Sequence, residues 1–137
     1  MTALVRTQRM IAAFGGVVAV VLTLTGCTPQ ISSPVGTWRA VGEDTGTLTV
    51  HEDGTFVMHG ASFNPLGYVD ADDFAGVGTW DTYPDDPEVV LRFSQAASDG
   101  FRVEPASLSR AFASGVIRFT DPDETVGIEF RIEDSAE

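Results

Sequence analysis

The sequence predicts an all-β domain, a small antiparallel barrel of about eight strands, set behind an N-terminal signal-peptide helix and a short tether. Three observations predict it. Short segments alternate apolar and polar residues, most cleanly Val126, Ile128, Phe130 and Ile132 against Thr125, Gly127, Glu129, Arg131 and Glu133. Turn-forming residues such as Glu52-Asp53-Gly54 separate these segments at short intervals. The long uncharged apolar run, Met10 to Leu24, has 15 residues, which suits the core of a signal and falls short of the about 20 that a membrane span needs.

The N-terminus comes first. Met1 to Arg9 is short and basic, the apolar run follows, and Leu24-Thr25-Gly26-Cys27 closes it. These four residues, in that place, resemble the bacterial lipobox. The resemblance implies a diacylglyceryl group on the Cys27 sulfur and cleavage between Gly26 and Cys27. Residues 1–26 are then a lipoprotein signal peptide, residues 27–34 the lipidated cysteine and a polar tether with two prolines, and residues 35–137 the domain. No Arg-Arg pair precedes the run, which favours the general secretory route. The basic flank stays in the cytoplasm, so the domain is expected on the extracytoplasmic face of the cell membrane, held by its acyl chains. Cys27 is the single cysteine, so no intrachain disulfide forms.

Val35-Gly36-Thr37-Trp38 begins the first strand. Thr47 to His51 and Thr55 to His59 read as a hairpin with two competing registers. A two-residue loop, Asp53-Gly54, sets Val50 opposite Val57 and splits the apolar residues across both faces. A three-residue loop, Glu52-Asp53-Gly54, sets Val50 opposite Phe56 and Leu48 opposite Met58, gathers all four on one face, and gives Gly54 the left-handed position. The second register is therefore expected. Further strands are expected at Val77 to Thr82, Glu88 to Ser94, Gly100 to Glu104, Val116 to Thr120 and Thr125 to Glu133.

Two segments interrupt the pattern. Residues 61–76 read as a long connection bearing Phe63, Leu66, Tyr68, Val69 and Phe74. Pro105 to Gly115 has the marks of a short helix, with Pro at its start, Leu108, Ala111 and Phe112 on one side, and Gly at its end.

Val35-Gly36-Thr37-Trp38 recurs as Val77-Gly78-Thr79-Trp80. Each Gly is expected to let the backbone pass close under an indole, with each Trp pointing inward. Together with the Leu48-x-Val50-x-x-Asp53-Gly54-x-Phe56 hairpin, these Gly-x-Trp strands make residues 35 to 93 resemble the small lipocalin-like barrels of bacterial lipoproteins. The resemblance implies that tryptophan closes one barrel end and that ligand enters the other. The domain is shorter than lipocalins generally are, and its inward set of Trp, Phe, Leu and Ile is bulky. An eight-stranded barrel is just wide enough for side chains to fill, which argues against an internal cavity.

Charge excludes some partners. From Cys27 onward there are six arginines, no lysine and 20 acids, a formal charge of −14. Such a surface repels phosphate backbones and anionic lipid, so no nucleic acid is expected and the membrane is met through the lipid alone. His51 and His59 fall on the solvent face about 13 Å apart, too far to share a metal, so no metal or other cofactor is expected. Asp70, Asp72 and Asp73, Asp85 and Asp86, and Asp121, Asp123 and Glu124 sit beside Pro and Gly as turn formers, without a calcium-loop spacing. No serine elbow or free cysteine stands ready as a nucleophile, so no catalytic residue is assigned and no enzyme is expected. Phe63, Leu66, Tyr68 and Phe74 are the candidate binding loop, either exposed as recognition elements or packed down as a plug.

Two readings of function stand side by side. One is a membrane-anchored binding module for a small apolar ligand or an envelope component. The other is a protein-interaction or envelope-structural lipoprotein whose barrel is filled.

Overall fold

The computed structural model describes residues 30–135. The segment expected to be a signal peptide, with Gly26 and Cys27, lies outside the described residues. Within them the chain is all-β, with nine strands and no helix: β1 (Gly36–Ala40), β2 (Thr47–Val50), β3 (Thr55–Asn64), β4 (Val69–Tyr83), β5 (Asp86–Ser98), β6 (Phe101–Val103), β7 (Ser107–Ala111), β8 (Val116–Thr120) and β9 (Gly127–Ser135). One antiparallel sheet holds them in the order β6-β5-β4-β3-β2-β1-β9-β8, with β7 also on β5.

β6 and β7 are one stave of the barrel. Val103 opposes Ala96 and Ser107 opposes Arg92 along the same β5 register, and Phe93 N–H donates to the Ala106 carbonyl between them. Pro105 interrupts the ladder at a position whose amide would point away from β5, where a proline costs no hydrogen bond. The barrel therefore has eight staves, the number the strand pattern predicts. It curls until β7 and β8 approach, and there it stays open, since no ladder joins those two strands.

The β2–β3 hairpin adopts the expected register, with Leu48 opposite Met58 and Val50 opposite Phe56. All four side chains are buried. They join Trp38, Phe63, Phe74, Leu91, Phe119 and Phe130 in one continuous core. Phe56 meets Phe93 edge-on at 4.9 Å and Phe119 meets Phe130 at 5.9 Å, the arrangement aromatic quadrupoles favour.

Two expected elements need correction. Residues 61–76 are not a long connection. They complete β3, turn over four residues, and begin β4. Register shifts around Ala61 break the two-residue alternation, and Gly60 takes the left-handed φ of 65° that turns the strand there. This irregularity hid the strands from a period-two reading. The tip is built by Asn64, whose Oδ1 accepts from the amides of Leu66 (2.9 Å) and Gly67 (3.0 Å).

Pro105 to Gly115 is not a helix either. Leu108 opposes Leu91 across the β5–β7 ladder. Leu108 and Phe112 are buried and Ala111 is exposed, so the apolar set follows the strand period and not the helical one.

The repeated tryptophans both lie toward the end that holds the β2–β3 turn. Trp38 is fully buried and its indole N–H donates to the Pro34 carbonyl at 2.9 Å. Trp80 opposes buried Leu91, is half-buried at the rim, and donates to the His51 carbonyl. Gly78, however, is needed for a different contact from the one expected. A Cβ there would fall 1.9 Å from the Arg92 carbonyl oxygen, so the close neighbour is the β5 backbone and not an indole.

Candidate functional site

Among the described residues the interior is packed. Side chains from every stave meet at its centre, and twelve large ones, Trp38, Phe119 and Phe130 among them, are less than 2 % exposed. Depressions lie at one end and along the outer wall.

At one end the strand termini gather with the β2–β3, β4–β5 and β7–β8 turns. Residues 30–34 come down onto this end. Ile31 N–H donates to the Ala113 carbonyl at 3.0 Å and its side chain packs on the core, while Pro34 is buried. The segment read as a tether is thus docked from Ile31 onward. A depression of about 590 Å³ beside it is lined by Ile31, Tyr83, Pro84, Asp86 and Phe112, among others.

At the other end stands the β3–β4 hairpin. Of the four candidate binding residues, Phe63 and Phe74 are fully buried, Leu66 packs partly against the core, and Tyr68 is 40 % exposed. The structure therefore divides them, with the two phenylalanines inside the wall and Tyr68 at the tip beside exposed Val69. Tyr68 holds a left-handed φ of 58°, an unusual conformation for a bulky residue, fixed by its N–H donating to the Asn64 carbonyl.

The acids do structural work. Asp99, at a left-handed φ of 53°, accepts from the amides of Asp72 (2.8 Å) and Asp73 (2.7 Å), pinning the irregular start of β4 to the β5–β6 turn. Asp121 accepts from the Thr125 hydroxyl and amide at 2.6 Å and from the Val126 amide at 3.1 Å. The Thr125 hydroxyl, above all, holds its carboxyl below the usual carboxylate range. The Thr55 hydroxyl does the same for Asp53 in the β2–β3 turn. Glu129 is held low by Arg118 first and then Arg131, which flank it at 2.8 and 3.1 Å. His51 and His59 are exposed on the outer face. Among the described residues no three His, Cys, Asp or Glu side chains gather to hold a metal ion.

Along the wall, a groove of about 600 Å³ follows the opening between β7 and β8. Its lining is Arg110, Ala111, Ser114, Val116, Arg118, Thr120 and Glu124. Arg110 reaches across it, with its guanidinium 5.6 Å from the centre of the Phe119 ring and a hydrogen bond of 2.7 Å to the Ser109 carbonyl. Sequence reasoning missed this feature because residues 105–115 read as a helix, which has no free edge. The signal was the alternation of buried Leu108 with exposed Ser107 and Ser109.

Comparison with protein-family models, with curated proteins and with solved structures gives no match.

Proposed function

We propose that this chain is a bacterial lipoprotein, anchored through Cys27 on the extracytoplasmic face of the cell membrane, whose small lipocalin-like barrel binds another envelope protein without catalysing a reaction. One observation supports the choice of a protein over a small ligand: among the described residues the interior is packed with large side chains. Trp38, Phe56, Phe63, Phe74, Phe119 and Phe130 are buried together inside the curled sheet. A small apolar ligand would have to displace packed core, at several kcal/mol for each large side chain moved. The acidic surface supports a protein partner over nucleic acid or a bare anionic bilayer. Phe63 and Phe74 then serve as plug, and Tyr68 and the outer wall are left for recognition.

Two measurements test this. Native mass spectrometry of residues 28–137 recovered from a periplasm is expected to give the bare chain. A bound small molecule that leaves on denaturation would restore the cargo reading. Cys27→Ser is expected to abolish membrane retention and leave an unprocessed precursor, and a variant processed and anchored like the parent would remove the lipoprotein assignment.

A further inference from the structure

The opening between β7 and β8 exposes two strand edges whose orientation follows from the registers. Phe93 N–H donates to the Ala106 carbonyl and Phe112 N–H to the Pro87 carbonyl. In an antiparallel ladder bonded residues alternate, so Leu108 and Arg110 turn their amides and carbonyls toward β5, while Ser107, Ser109 and Ala111 turn theirs toward the opening. On the facing strand, Asp121 N–H donates to the Val126 carbonyl and Ile132 N–H to the Gly115 carbonyl. By the same alternation Val116, Arg118 and Thr120 present their backbone groups to the opening. Neither row has a ladder partner among the described residues.

An unpaired row of backbone donors and acceptors is a template for another strand. Proteins usually blunt such an edge, and this chain does so at one point only along the stave, with Pro105 between β6 and β7. The β7 part is held instead by a side chain. Arg110 donates to the Ser109 carbonyl, which is one of the outward-turned acceptors. Its guanidinium also lies 5.6 Å from the centre of the Phe119 ring. Arg39 pairs with Glu133, and Arg118 and Arg131 share Glu129; among the described residues Arg110, like Arg92 and Arg102, makes no ion pair, and of these three it alone lines the β7–β8 groove.

We propose that the β7 edge accepts an extended segment of a partner protein as an added strand, and that a carboxylate on this segment takes the Arg110 guanidinium from the Ser109 carbonyl. This deepens the protein-interaction reading above and rests on it. A second copy of the chain is the poorer occupant, because two bodies of formal charge −14 past Cys27 repel each other. Charge complementarity selects an acidic residue at one position of the guest. The backbone ladder asks only that the rest be extended.

The test uses the full chain in detergent and hydrogen exchange followed residue by residue. The probe is the peptide acetyl-Thr-Val-Thr-Asp-Thr-Val-Thr-amide, with its Asn counterpart for comparison. In the free protein the amides of Ser109 and Ala111 are expected to exchange at least about 100-fold faster than those of Leu108 and Arg110, since only the latter pair is bonded. Saturating peptide is expected to slow Ser109 and Ala111 by about tenfold or more, and the Asn peptide to bind about tenfold more weakly, because a charge-assisted bond is lost. Arg110→Gln is expected to erase the difference between the peptides. Ser109→Pro, which removes an amide that β5 does not use, is expected to abolish binding with the melting temperature little changed.

The proposal is overturned if Ser109 and Ala111 are as protected as their neighbours in the free protein. It is also overturned if millimolar peptide protects neither, or if Arg110→Gln still prefers the acidic peptide. None of these results bears on whether the barrel holds cargo, which mass spectrometry reads separately. If Ser109→Pro fails to fold, the exchange pattern and Arg110→Gln still decide.

Discussion

Replacing Trp38 by alanine tests the core where the structure makes the largest claim on it. The indole is fully buried between Leu48 on β2 and Ile132 on β9, and its N–H is spent on the Pro34 carbonyl. A buried Trp removes about 150–250 Å² from water, worth about 4–6 kcal/mol at 25 cal/mol per Å². Truncations of this kind lose about 3–5 kcal/mol, since the cavity relaxes only in part, and the stranded Pro34 carbonyl adds about 1 kcal/mol. We therefore expect a loss of about 4–6 kcal/mol. For a domain of this size, with a urea slope of about 1–2 kcal/mol per molar, the midpoint falls by about 2–6 M. Trp80 remains at the rim as the fluorescent reporter of unfolding, and far-UV circular dichroism gives an independent signal. Trp38→Phe keeps most of the burial and loses the indole bond, so its expected cost is smaller, about 1–2 kcal/mol. A Trp38→Ala domain within about 1 kcal/mol of the parent would refute the placement of this side chain in the core.

Other substitutions probe other joints. Gly78→Ala forces a Cβ to within 1.9 Å of the Arg92 carbonyl oxygen, so the β4–β5 ladder must part, and denaturant unfolding is expected to show a loss of about 2–4 kcal/mol. Asp99→Ala frees the amides of Asp72 and Asp73; their hydrogen exchange is expected to accelerate, with a global loss of about 1 kcal/mol. Stability is expected to fall in acid. Asp53, Asp121 and Glu129 are held below their ordinary values in the folded chain, so the folded state binds fewer protons than the unfolded one there. Their contribution is complete above the ordinary carboxylate range and disappears as pH drops through their lowered values. Melting temperatures measured from pH 7 downward check this, and Thr125→Val, which removes the largest cause for Asp121, is expected to flatten the acid limb.

Much of the fold was legible because its strands are half wet. Leu48, Val50, Phe56 and Met58 fix their own register by sharing a face, and β8 and β9 announce themselves through alternation. Legibility failed where the period was interrupted. Gly60 and the shifts around Ala61 scramble the inside-outside order of residues 61–76, so a hairpin resembled a loop. Pro105 with Leu108, Ala111 and Phe112 satisfies a helical spacing as well as a strand one, and only the pairing with β5 decides between them. That pairing is a contact distant in sequence. The groove was illegible for the same reason, since an edge exists only once the neighbouring strands are known. The division of the candidate residues into buried Phe63 and Phe74 and exposed Tyr68 likewise depended on where β3 ends.

The docking of residues 31–34 has a mechanical consequence. β1 enters the barrel from the docked end and lies between β2 and β9, with a ladder on each side. A pull on the N-terminus along the barrel axis first meets the Ile31–Ala113 hydrogen bond and the seated Pro34–Trp38 pair. Beyond these it draws β1 lengthwise, so the bonds of both ladders share the load together and are not unzipped one by one. The sheet resists traction best along the direction from which its chain arrives.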